Sequence, residues 1–131
     1  MIKFFSNNKI IFYSSNFFLI FLYLFPGSLL GLVIYNNKEI QPQITPDLII
    51  STNHFYVFIL LTTIGYLSFK KTSQIKFLLF YLILLSIILE ILHLIIPERS
   101  FQWSDLFGNL LGVIIVIFIK NLINKYGLYK K

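Results

Sequence analysis

Long apolar runs alternate with short polar segments along the chain, and the runs are close to the ~20 residues a helix needs to cross the hydrocarbon core of a bilayer. The first extends from Ile10 to Tyr35 and is interrupted by Pro26-Gly27-Ser28. It is too long for one untilted span, so two readings stand. One kinked helix uses most of it, or a helix of about sixteen residues stops near Pro26 and Leu29–Tyr35 forms an interfacial or re-entrant piece. The second is favoured. Residues 36–47 are polar, carry Pro42 and Pro46, and predict a loop. A second span is expected over 48–69, a tight hydrophilic connection over 70–74, and a third span over 75–96, closed by Pro97. A short loop then leads to a fourth span over about 105–123 and a basic tail. The expectation is an all-α chain, one domain over 1–131, folded as an integral membrane bundle of about four transmembrane helices.

Composition strengthens this picture. Of the 131 residues 57% are hydrophobic and 12% charged, against the roughly 25% charged of a soluble domain. A soluble core of this size has no room for so many apolar side chains, so the surplus is expected to face lipid. Lys3 and Lys9 ahead of the first apolar run also resemble the start of a signal peptide, but no A-x-A-like cleavage site follows. Cysteine is absent, which excludes a disulfide framework and a thiolate metal site.

The net charge of +6 comes from lysines in short groups between the apolar runs. That arrangement fits membrane orientation and does not fit a nucleic-acid surface. Lys3 and Lys9, then Lys70, Lys71 and Lys76, then Lys120, Lys125, Lys130 and Lys131 fall on one side of an even-numbered bundle. The opposite loops carry only Lys38 and Arg99. Both termini are therefore expected in the cytoplasm and the protein in the inner (cytoplasmic) membrane as a multi-pass chain. Trp103 then lies at the outer headgroup level.

Ionisable residues inside spans cost about 2.5–3.5 kcal/mol each at the bilayer centre, so each needs a reason. Glu90 lies about 10 Å below the outer end of the third span, and His93 follows one turn later on the same face. Asn53 and His54 lie about 8–9 Å into the second span, and Asn109 about 6 Å into the fourth, with Asp105 one turn above it. Three helices thus bring polar groups to one level in the outer half of the membrane. Arg99, the single arginine, has Glu90, Glu98 and Asp105 as possible partners, or a lipid phosphate.

Plainer roles compete for each of these residues. Asp105 could be a helix N-cap, Arg99 an interfacial charge, and the two histidines headgroup-level residues bonded to Asn53 and Glu90. Glu90 could be an interhelical polar clamp. Gly108-x-x-x-Gly112 predicts close helix packing, expected to bring Asn109 against the helix carrying Glu90.

The segment from Glu90 to Gly112 resembles the signature of the VanZ-like family of small envelope proteins. That pattern is a glutamate late in one span, a loop with Pro and Arg-x-Phe, then Asp-x-x-x-Asn-x-x-Gly opening the next span. Glu90, Pro97, Arg99, Phe101, Asp105, Asn109 and Gly112 match it in order and spacing. Residues 24–28, Leu-Phe-Pro-Gly-Ser, are similar to the end of the family's first span, and His54 falls where the family carries a histidine. His93 stands where glutamine is usual, and Ile50-Ser51 where an Asp-Lys pair is often found. The resemblance implies a VanZ-like transmembrane domain over most of the chain. Some members are associated with resistance to teicoplanin-type glycopeptides, by a mechanism that the resemblance does not define.

The functional expectation is an outer-leaflet pocket, built from His54, Glu90, His93, Arg99, Asp105 and Asn109, that recognises a polar lipid or lipid-linked wall precursor. Membrane lipids are the expected partners, a homo-oligomer is open, and no cofactor or metal is assigned. The alternative is a membrane-embedded enzyme using Glu90-x-x-His93 and His54 as metal ligands or as an acid/base set, although di-iron bundles need two such turns. A proton-coupled exporter would want its glutamate nearer the midplane than Glu90. No phosphate-cradling Gly-rich loop or nucleophile elbow is present.

Overall fold

The computed structural model describes residues 9–127. They form five α-helices and no strand: α1 (Lys9–Leu24), α2 (Leu29–Tyr35), α3 (Thr52–Ser68), α4 (Thr72–Leu92) and α5 (Trp103–Lys125). Lys3, Lys130 and Lys131, which enter the orientation argument, lie outside the described residues.

The first apolar run breaks where proline stops it. α1 ends at Leu24, and after residues 25–28 the chain turns by 81° into α2. Gly27 supplies the corner with φ 71°, where a side chain would also press on the Lys38 carbonyl. The Ser28 hydroxyl then accepts from the Gly31 N–H at 2.9 Å and starts α2. Left-handed Asn36 ends it, and the chain folds back until the Lys38 carbonyl accepts from Ser28 N–H at 2.7 Å. α2 and the segment after it form a tight hairpin across the end of the bundle.

α3, the helix of the second expected span, starts later than the apolar pattern suggests, at Thr52 instead of Leu48. The reason is a cap: Asp47 Oδ1 accepts from Thr52 N–H at 2.8 Å, which leaves residues 48–51 outside the helix. α4, the helix of the third expected span, likewise ends at Leu92, short of Pro97, and the turns that follow include Glu98 at φ 63°. α5 begins at Trp103.

Contacts fix the topology. Ser51 N–H donates to the Ser104 carbonyl at 3.1 Å, so α3 and α5 start together and run parallel. Gln102 N–H, at the start of α5, donates to Glu90 near the end of α4, so those two run antiparallel. The Lys9 ammonium sits 5.4 Å from the Phe69 ring, which puts the start of α1 beside the α3–α4 turn. Lys9, Lys70, Lys71 and Lys125 therefore share one end of an up-down-up-down bundle. Lys38, Asp47, Glu98 and Arg99 share the other.

α3 and α5 form the principal helix pair. A methyl at Gly108 would stand 2.6 Å from the Ser51 carbonyl, and one at Gly112 would stand 2.6 Å from the Phe55 carbonyl. This glycine face therefore rests on α3, which carries His54, and not on α4, which carries Glu90, as the spacing alone suggested. Backbone contact without intervening side chains is what the small residues permit.

An apolar core of Phe58, Leu61, Leu82, Leu89 and Val113 shares the interior with buried polar groups, and the outer surface is largely apolar. Thr62, Ser86, Glu90 and Asn109 are fully buried, while Phe17, Val33, Phe77 and Ile95 are each more than 70% exposed. In water such a surface would be unstable; in lipid it is solvated. α4 and α5 are each long and apolar enough to cross a membrane, and α1 with α2 passes the same test as a bent pair. α3 has 17 residues, about 25 Å of helix.

Candidate functional site

The polar cluster is assembled from four helices at the end of the bundle covered by the α2 hairpin. α3 contributes His54 from its first turn, α4 contributes Glu90 from its last, and α5 contributes Asp105 and Asn109 from successive turns of one face. One potential ligand atom from each of His54, Glu90 and Asp105 lies within 4.8 Å of the other two. His93, just past the end of α4, places Nδ1 3.4 Å from Glu90 Oε2.

Each side chain has a second contact that aims it. Ser51 Oγ lies 2.8 Å from His54 Nδ1, which turns Nε2 toward Asp105 Oδ2 at 3.6 Å. Glu90 Oε1 accepts from the Gln102 N–H at 2.8 Å and so satisfies an orphan donor at the start of α5. Asp105 sits in the first turn of that helix, but Gln102 occupies its N-cap position. His93 Nε2 lies 3.1 Å from the Tyr23 carbonyl. A carbonyl only accepts, so Nε2 carries the proton in that contact and Nδ1 faces Glu90.

Tyr23, in the last turn of α1, was not singled out by sequence and stands at the centre. Its phenol donates to Asn109 Oδ1 at 2.7 Å, its ring meets His54 edge-on at 5.0 Å, and it stacks on His93 at 5.8 Å. A signal was available: a tyrosine one turn before a proline in a lipid-length apolar run has a hydroxyl that needs a partner. Ser51 was also passed over, as a departure from a family pattern.

Two residues placed with the cluster by sequence are bonded elsewhere. Asn53 accepts from Ile44 N–H at 3.0 Å and donates to the Pro42 carbonyl at 2.6 Å, stapling the loop before α3. Arg99 makes no ion pair with Glu90, Glu98 or Asp105; it donates to the carbonyls of Leu22 at 3.2 Å and Phe25 at 3.3 Å. The end of α1 leaves carbonyls without N–H partners, and a planar guanidinium serves two of them. Glu98 instead pairs with Lys38 at 2.6 Å, joining the α4–α5 loop to the α2 hairpin. Burial pulls the Arg99 guanidinium below its ordinary range, and the nearby Asp105 and Glu90 partly restore it.

Against this cluster opens a cavity of about 330 Å³ between the end of α1, the α2 hairpin and the start of α3. Leu30, Ile34, Ile44 and Val57 give it apolar walls, and His54, Asn53 and Arg99 give it a polar edge. His54 thus borders both the cavity and the carboxylates.

Glu90 Oε2 and Asn109 Nδ2 are buried without a hydrogen-bond partner. No lysine or arginine nitrogen lies within 4.0 Å of Glu90 or Asp105 among the described residues. The chemistry open to this arrangement is the holding of a cation or proton between buried carboxylates, beside a cavity suited to a molecule with polar and apolar parts.

The sequence profile of the family described as VanZ/LLP1 matches residues 4–124. No curated protein and no solved structure matches the chain.

Proposed function

We propose that this chain, which belongs to the VanZ/LLP1 family, is a multi-pass protein of the inner membrane that holds a polar lipid or lipid-linked precursor in the cavity beside Arg99 and His54. In this reading α1, α3, α4 and α5 all cross the bilayer, with α3 extended by residues 48–51, and the lysine-rich end faces the cytoplasm. The cavity then lies in the outer leaflet.

The observation that carries the proposal is the make-up of the cavity itself: apolar walls that continue into the exposed apolar surface, and one edge with a guanidinium and an imidazole. An acyl or prenyl chain suits the walls, and a headgroup phosphate suits Arg99, which has donors beyond the two it gives to α1.

Native mass spectrometry of protein released from bacterial lipid nanodiscs tests it. A retained lipid is expected on the wild type and is expected to be lost from Leu30→Trp, which enlarges a residue of the apolar wall and reduces the cavity. Equal retention by both proteins would refute the proposal.

A further inference from the structure

We propose that His54, Glu90 and Asp105 form a binding site for a divalent transition-metal ion at the junction of α3, α4 and α5. Three observations carry it. The first is geometry: the donor atoms lie within 4.8 Å of one another, and His54 Nε2 and Asp105 Oδ2 are already 3.6 Å apart. A tetrahedral ion with bonds near 2.1 Å sets its ligands about 3.4 Å apart. Closing the widest separation takes about 1.4 Å, shared between two side chains.

The second is charge. Two carboxylates lie in a buried cluster, neither is paired with lysine or arginine among the described residues, and Oε2 of Glu90 is buried without a hydrogen-bond partner. Buried negative charge needs a positive partner close by. A divalent ion supplies it to both groups at once, and an imidazole with two carboxylates is a donor set that zinc, manganese and ferrous iron accept.

The third is the outer support. A metal-binding histidine has its remote nitrogen held by a second group, and Ser51 Oγ holds His54 Nδ1 at 2.8 Å, which leaves Nε2 free to bind metal. The backbone of Gln102 holds Glu90 through Oε1 in the same way. Asp105 takes the place that the Glu90-x-x-His93 turn would give to His93: the donor atoms of His54, Glu90 and Asp105 all lie within 4.8 Å of one another, whereas His93 stands beside Glu90 alone, with Nδ1 3.4 Å from Oε2. With three protein ligands, an ion here retains an open position, and His54 also lines the cavity.

The test uses the full chain purified in detergent, stripped with chelator and titrated with Zn²⁺ or Co²⁺. One metal per chain is expected by elemental analysis, with the intense visible absorption of four-coordinate cobalt and a rise in thermal midpoint. Ser51→Ala keeps every ligand and is expected to weaken binding by about 10–100-fold; Asp105→Asn is expected to abolish it. If Asp105→Asn does not fold, the wild-type cobalt spectrum and the Ser51→Ala titration decide. Failure of both metals to bind the wild type or to shift its midpoint would overturn the proposal and leave protons as the balancing charge. Binding unchanged in Ser51→Ala would overturn it too, by placing the ion elsewhere. These readouts do not depend on a lipid in the cavity.

Discussion

The phenol of Tyr23 donates to Asn109 Oδ1 at 2.7 Å, a buried contact that ties the end of the first helix to the start of the last. Tyr23→Phe is expected to destabilise the protein by about 1–3 kcal/mol, because it strands the Asn109 carbonyl oxygen. Tyr23→Phe with Asn109→Leu is expected to recover part of that loss. Unfolding in detergent, followed by helical circular dichroism, measures both, and a silent single variant would show that the contact contributes nothing.

Glu90 acts on the backbone of another helix. Glu90→Gln keeps an oxygen for the Gln102 N–H, whereas Glu90→Ala leaves that half-buried donor without its partner. The alanine variant should therefore lose about 1 kcal/mol more than the glutamine variant. Equal stability of the two would remove the capping role.

Arg99 is expected to hold the end of α1 and not to neutralise the carboxylates. Arg99→Ala should open residues 22–28 to amide hydrogen exchange and cost about 1–2 kcal/mol, with α3–α5 protection unchanged. Lost protection confined to Glu90 and Asp105 would contradict the observed bonding.

At Gly112 a methyl would come within 2.6 Å of the Phe55 carbonyl and 2.9 Å of Phe58 Cβ. Neither neighbour is a flexible side-chain tip, so the helices must part. Gly112→Ala is expected to lower stability by about 1–3 kcal/mol. Gly127, at φ 60° with no atom near its missing side chain, pays only the backbone term. A midpoint for Gly112→Ala equal to that of the parent would mean that α3 and α5 do not pack as described.

Orientation is open to a direct test because the chain has no cysteine. Lys38→Cys is expected to react with an impermeant maleimide in intact spheroplasts, and Lys71→Cys only after lysis. The reverse pattern would invert the proposed topology.

How much was legible beforehand depended on what kind of force acts. Lipid-length apolar runs, Pro26 and Pro97 mark the helices because lipid demands continuous hydrogen-bonded backbone. Helix ends were misplaced where a side chain decides them: Asp47 sets the start at Thr52 from five residues away, and no hydropathy pattern records that. Equal depth brought His54, Glu90 and Asp105 onto one level, since rise per residue is fixed. Their azimuth was not fixed by it. That is why the glycines were expected on α4 and lie on α3, and why Arg99, for which carboxylates, a lipid phosphate or an interfacial role stood open, turns to the carbonyls of Leu22 and Phe25. Tyr23 was hidden by its own chemistry, since an aromatic ring in an apolar run looks like packing until its hydroxyl finds Asn109.

The scattered origin of the cluster also constrains biogenesis. α3 leaves the ribosome carrying His54 before Glu90 or Asp105 has been synthesised, and the glycine face that shields its start belongs to α5, made later still. Until α5 emerges, the imidazole and the bare backbone of α3 have no native neighbours from that helix. Among the described helices, α3 therefore completes its polar and backbone contacts only once α5 is present.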